Sequence, residues 1–442
     1  MAPSHPVRAV DEALSNQAAS EAKDVGSRLT VDVVSGDVLP STLEKAFAAN
    51  RPPDFALVGS AVPAPLAARG LLVDARETLD RIVALNGELF PPLRVLAAAG
   101  PFFDRQPHQP DPAWAIPYAA MGGALLVRKD LLAQKGIPFP KTFDDARAAS
   151  EKVTDVAAGV YGWGAPSPIG EAMDGFVQAT LLDHGAAIFD SLGIQVALNL
   201  DEASASLDAL AGLSRAHDGS PLSPTGTVDW STTQTAAAFV AGTIIQTIDF
   251  GGMYARLVTD QTELRSRIAA LPPPAGPKGW YTSAPTTLLI VPRRGQAPDR
   301  ALSLVERLIR PENYDVLVRA GLGSVIPPYA YTTKTPFWDE DPNYHAFVAN
   351  ARGDPARNFQ FASMGYPSPP TLPAAVVWAA NVLSKTVRAV ITGETSAALA
   401  ASALKQQCEI LARDAIALQP LPTSTAVPFW SGLIAPLRTP TP

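Results

Sequence analysis

The sequence predicts an α/β fold, and three observations carry that reading. Residues 29–34 form a strand-like run, a helical stretch follows with Leu43 and Phe47 on one side, and a short apolar strand at 55–58 ends on Gly59-Ser60. Further on, β-type runs at 124–127 and 287–292 alternate with helical periodicity at 143–153 and 299–309. Finally, 43 of the 442 residues are proline, about double the usual ~5%, which cuts the chain into many short elements.

A chain of 442 residues is long enough for two or three domains with real cores. Charged residues make up 17% and hydrophobic residues 47%, a globular rather than a disordered balance. The net charge of −7 and the lack of a Lys/Arg block argue against nucleic acid or an anionic membrane face as partner. No apolar run reaches the ~18 residues of a membrane span. Cys408 is the one cysteine, so no intrachain disulfide can form; at helical spacing from Leu404 and Leu411 it reads as core. The N-terminal MAPSHPVRAVDEALSNQ has neither a basic nor an apolar segment, so no signal peptide is visible.

Taken in order, residues 9–24 read as an Ala-rich helix. Ser41 with Glu44 fits a capping box for the helix that Arg51-Pro52-Pro53-Asp54 stops. Thr142 with Asp145 forms a second such pair, opening the helix at 143–153 after Gly136, Pro138 and Pro140 have ended the preceding one. The run 160–165 reads as a strand leading into the loop 166–171, and Asp249-Phe250-Gly251-Gly252 closes an apolar strand. Asp299 caps a helix with Leu302, Val305, Leu308 and Ile309 on one face, and a helix begun at Pro311 ends at Gly321. Further helices are expected at 387–394 and 396–414. The Pro-rich end, 417–442, reads as an extended surface tail anchored by Phe429-Trp430.

The most specific stretch is 113–145, AWAIPYAAMGGALLVRKDLLAQKGIPFPKTFDD. Its Pro-Tyr-small-small segment, β-type run, Arg-Lys-Asp step, Lys-Gly turn and Pro-x-Thr-Phe-Asp-Asp cap resemble the family 1 extracellular solute-binding proteins of ABC importers. That is the sugar-binding group that includes maltose-binding protein. The likeness extends over roughly 25–415, through Leu66 to Asp74, Tyr161-Gly162-Trp163, Leu181 to Asp190 and residues 236–254. In the last of these, Asp249-Phe250-Gly251-Gly252 replaces the family's Gly-Pro-Trp, so its stacking Trp is lacking.

The resemblance implies a two-lobed periplasmic-binding-protein fold with discontinuous lobes and a multi-strand hinge. Residues 1–116 with 290–326 are expected to form one lobe and 117–289 with 327–442 the other. It also implies a β-strand before the first helix, and the chain reads as starting just after it, near His5-Pro6. Such proteins close around ligand by hinge motion. The implied role is capture of a small solute, carbohydrate favoured, and delivery to a membrane permease. The protein would be a periplasmic or extracellular monomer with no cofactor, no nucleic-acid partner and no membrane insertion. A polyamine or organic acid ligand stays open, as does an intracellular sensor or scaffold.

Nothing in the sequence gives enzyme chemistry: there is no Gly-x-Ser-x-Gly, no phosphate-cradling Gly-x-x-x-x-Gly-Lys and no His-Glu-x-x-His. His5, His108, His184, His217 and His345 lack ligand spacing, so no metal is expected. A solute cleft instead needs aromatic walls and a few aimed polar groups at strand ends and crossings. The candidates are Gly59 and Ser60 at a strand end, and Tyr118, Met121 and Gly122 at the first crossing. Ser167 and Glu171 come from the loop after 165, and Asp249, Phe250 and Gly251 from the strand end, where Asp249 is either a ligand contact or a cap. Trp280 and Tyr281 precede the second crossing, Ser324 lies in the third, and Trp378 sits in a helix as a ligand aromatic or as core.

Overall fold

The computed structural model describes residues 1–417 except 6, 25, 37, 100–110, 166–168 and 284. Eleven strands are described: β1 Ala2–Pro3, β2 Val33–Val34, β3 Ala56–Val58, β4 Ile116–Ala120, β5 Ala124–Arg128, β6 Tyr161–Trp163, β7 Ile244–Asp249, β8 Ile268–Leu271, β9 Trp280–Thr282, β10 Thr286–Ile290 and β11 Phe359–Phe361. They form four sheets, two large ones with helices packed around each and the two-stranded pairs β1-β2 and β9-β11, which is the two-lobed periplasmic-binding-protein fold.

The first sheet runs β3-β10-β4, with β10 antiparallel to both neighbours. β1 extends it: Leu57 N–H donates to the Met1 carbonyl at 2.9 Å, and β1 pairs in parallel with β2. The expectation that the chain starts after the family's first strand is therefore corrected. The strand is present as Ala2–Pro3, too short and too proline-bound to show periodicity. β2 is likewise only two residues of the expected 29–34.

The second sheet runs β6-β7-β5-β8. Its middle strand β5 is sealed on both faces, with Ala124, Leu125, Leu126 and Val127 all 0% exposed, which is why that run is apolar without alternation. The chain passes between the two large sheets from β4 to β5 and from β8, by way of β9, to β10, and Ile326 bridges Ala120 at a third place. Residues 117–120 and 286–289, read with the second lobe from sequence, thus lie in the first sheet. Residues 329–331 also return to that side, where Ala330 and Tyr331 N–H donate to the Glu88 and Asn86 carbonyls.

Local signals fared unevenly. The Thr142/Asp145 capping box forms as read and opens the helix Phe143–Val153. The Ser41/Glu44 box does not form. Pro40 lets the helix start earlier, at Leu39, so Ser41 Oγ donates back to the Val38 carbonyl and Glu44 pairs with Arg69 at 2.8 Å. Asp299 is a first-turn residue behind Pro298, not a cap. Cys408 is fully buried, and burial pushes its thiol up to about 12. Phe429 and Trp430 lie outside the described residues. Among the described residues, no single helix is long and apolar enough to cross a membrane.

Candidate functional site

The site grows from the row of strand ends where the sheets meet. Thr286 at the start of β10 pairs with Ala120 at the end of β4, and Ala120 bridges Ile326. On the other side Leu288 pairs with Val58, one residue before Gly59-Ser60. The Ser60 N–H and the Thr286 backbone are the groups this edge turns toward the second lobe.

Glu171 meets them. It opens the helix Glu171–Asp183 in the second lobe, and its carboxylate accepts from Ser60 Oγ at 2.6 Å and Ser60 N–H at 3.2 Å. Desolvation raises its pKa, opposed by those bonds, by the Thr286 backbone and by the indole N–H of Trp378. That indole faces the carboxylate yet finds no acceptor at hydrogen-bond geometry. Gly59 makes the approach possible, because a Cβ there would lie 2.5 Å from Glu171 Oε2. Gly59, Ser60, Glu171 and Trp378 thus form one cluster, joined by Thr286, which the sequence reading missed. Trp378 is buried, so it is both core and cluster wall.

A second group is drawn into packing at the crossings. The Asp249 carboxylate accepts from Met253 N–H at 3.1 Å and Tyr254 N–H at 2.9 Å, so it serves as the cap of Gly252–Asp260. Of the two readings, ligand contact or cap, the bonds to Met253 and Tyr254 are those of a cap where a strand ends directly in a helix. Phe250 is buried against Gly123, and Gly251, at φ 91°, has no room for a Cβ beside Ser324. Ser324 is fully buried with its hydroxyl on the Gly321 carbonyl at 2.6 Å. Gly122 is pressed against the Phe347 backbone, and Met121 is half-buried. Tyr118 packs on Tyr314 with centroids 5.8 Å apart, and its buried hydroxyl has no partner.

Trp280 and Tyr281 form a separate wall. Trp280 Nε1 donates to the Pro273 carbonyl at 2.8 Å and its ring lies 4.6 Å from Phe359. Tyr281 N–H donates to Asp183 at 2.7 Å, and its ring faces Tyr366. Ser167 and His108 fall outside the described residues. Two cavities lie away from all of these: about 180 Å³ beside Met1, Leu14 and Phe55, and about 490 Å³ beside Glu151 and His217. Among the described residues, no group of three or more His, Cys, Asp or Glu converges to hold a metal.

One turn beyond Glu171, Asp174 is fully buried; it accepts from Ser384 N–H at 2.6 Å while its other oxygen has no partner. Burial pushes its pKa up from 3.8 to about 6. A raised carboxyl stabilises the folded state fully below the unfolded pKa and loses that contribution as pH rises through about 6. Asp174→Asn is expected to flatten this decline by up to ~3 kcal/mol between pH 4 and 7. His5, lowered to about 4 by burial, has the opposite slope. The difference between variant and parent urea curves across that range is therefore the measurement.

The chain is similar to several solved proteins across nearly their whole length. The GacH receptor of Streptomyces glaucescens aligns at TM-score 0.75 and 14% identity, over 93% of this chain and 97% of that one. A Thermotoga lettingae ABC transporter solute-binding protein bound with α-D-tagatose gives 0.73 and 17%, over 91% and 96%. Maltose-bound MalE3 of T. maritima gives 0.72 and 17%, over 93% and 98%. These likenesses carry the fold. Among curated proteins, none matches the chain at the sequence level. The model of the bacterial extracellular solute-binding protein family matches residues 9–315, well over half of the chain. The protein belongs to the bacterial extracellular solute-binding protein family.

Proposed function

We propose that this solute-binding protein is the substrate-binding component of an ABC importer, and that its solute is a carbohydrate held between the lobes. The observation that carries the reading is the Ser60–Thr286–Glu171–Trp378 cluster. Groups from both lobes place hydroxyl, amide, carboxylate and indole partners beside one another, as a polyol requires. The tagatose and maltose bound by the similar proteins agree with that chemistry.

The lobes in this proposal are 1–120 with 286–340, and 121–283 with 341–417, dividing where pairing changes sheet. The protein acts as an extracellular or periplasmic monomer, captures its solute without transforming it, and hands it to a permease.

A thermal-shift screen against sugars, polyols, polyamines and organic acids tests the reading. A ligand at ~100 times its dissociation constant adds ~2.7 kcal/mol to the folded state. A shift confined to sugars or polyols supports a carbohydrate receptor, with no turnover of the sugar that binds. A shift confined to organic acids favours the second reading, for which the Ser60 hydroxyl and N–H already donate to a carboxylate, that of Glu171.

A further inference from the structure

Asp174 lies one turn along from Glu171 on the helix Glu171–Asp183, and its carboxylate reaches the start of a different helix. It accepts from Ser384 N–H at 2.6 Å. Ser384 is in the first turn of Val382–Ile391, whose flanking residue Asn381 stands at φ 52° and offers no side-chain cap. A helix start leaves N–H groups without intrahelical acceptors, and its dipole favours a negative charge there. The acceptor therefore comes from the Glu171 helix. The helix that carries Trp378, Leu372–Ala379, meets Val382–Ile391 at a bend of 43°. Asn381 N–H donates to the Trp378 carbonyl at 3.0 Å, which ties Trp378 to that bend. All of these groups lie on the second-lobe side, so the arrangement is independent of how far the lobes close.

We propose that Asp174 is a positioning residue of the solute site: by capping Val382–Ile391 it fixes the bend that aims the Trp378 indole at the Glu171 carboxylate. The proposal rests on the reading of Glu171 and Trp378 as walls of that site. Its ionisation sets the strength of the cap. Burial holds the Asp174 carboxyl at about 6, with Glu171 of its own helix raising it and Lys385 of Val382–Ile391 lowering it. The Cys408 thiol of Ala397–Ala417 feels its charge in turn. Leu372–Ala379 brings no titratable group, and β9 brings only Tyr281, whose ring faces Tyr366. On Leu200–Gly212, Asp201 and Asp208 are exposed and Glu202 is paired with Lys278. The second Asp174 oxygen has no partner, so it takes the proton while the first keeps Ser384 N–H as a weaker, neutral bond. The Ser384 bond lowers the pKa, so by linkage the charged form holds it more tightly. The ionisation that costs global stability thus tightens this one contact.

The test is fluorine NMR of the solute-free protein with fluorotryptophan at its seven tryptophans, the Trp378 resonance being assigned by its loss in Trp378→Phe. In the parent that resonance is expected to shift with pH about a midpoint of about 6. In Asp174→Asn, which keeps an acceptor without the charge, it is expected to stay at the parent's low-pH position throughout. A resonance that does not move in the parent would overturn the proposal. So would one that moves alike in the variant, since the titration would then belong to Glu171. Hydrogen exchange on the unmutated protein needs no variant. Corrected for intrinsic rates, protection of the Ser384 amide is expected to rise about tenfold as Asp174 ionises. That is opposite in sign to the change in global stability, and protection that stays level or falls would rule the cap out. No solute is present, so this outcome and that of the sugar screen are read separately.

Discussion

Gly122→Ala is expected to destabilise the protein by about 4 kcal/mol, at the severe end for a single substitution. A Cβ at this position would fall inside the van der Waals shell of the Phe347 carbonyl, with the Phe347 Cα 3.1 Å away. The obstacle is backbone, so no side-chain rotation relieves it. Phe347 is fully buried in the helix Pro342–Arg352, whose Asn350 is itself bonded to the Gly123 carbonyl at 2.7 Å. Either that helix or the β4–β5 crossing has to move. Urea unfolding of the variant checks the prediction; a loss below ~1 kcal/mol would mean that the crossing is slack. Gly122 would then be available to approach a ligand.

Asp341→Ala is expected to cost about 3–4 kcal/mol, read in the same way. Asp341 is 1% exposed and collects the Tyr254 hydroxyl, Arg265 Nε at 2.6 Å and Asn343 N–H at 2.9 Å. Removing the carboxylate leaves the buried Tyr254 hydroxyl and the Asn343 amide without their acceptor. Arg265 softens the loss, since its side chain is 43% exposed and can turn to water. Asp341→Asn keeps an acceptor in place and is expected to recover about half of the lost stability. Equal losses in the two variants would show that charge, not hydrogen bonding, governs this junction.

Local chemistry was readable where it acts locally. The helices Phe143–Val153 and Pro311–Gly321 begin and end where Thr142, Pro311 and Gly321 say they should. The fold was legible through the 113–145 stretch, because its turn and cap residues sit at fixed short offsets. β1 was not, since two residues carry no period. Ser60 and Glu171 were both singled out, yet nothing in the sequence says that they touch each other across 111 positions. Thr286, Asp341 and Phe347 went unread for the same reason: each acts on a partner remote in the chain, and no spacing encodes such a contact. Asp249 shows the reverse case. A charged residue at a strand end looked functional, but the helix starting three residues on uses it.

The segment from Tyr314 to Asn350 has a consequence for solubility. β4 and β8 are each one of the two outer strands of their sheets, and each would offer unpaired backbone groups to another chain. Tyr314 and Tyr329 donate their phenols to the Tyr118 and Pro117 carbonyls of β4, at 2.7 and 2.8 Å. Asn343 accepts from Ala270 N–H of β8 at 2.8 Å, and Asn350 donates toward the Leu271 carbonyl at 3.4 Å. Side chains thus blunt both margins without adding a strand to either. A fragment ending before Tyr314 would keep every strand of the two main sheets but bare both of these margins and lose the core packing of Phe347 and Leu404, so self-association is expected to accompany its unfolding.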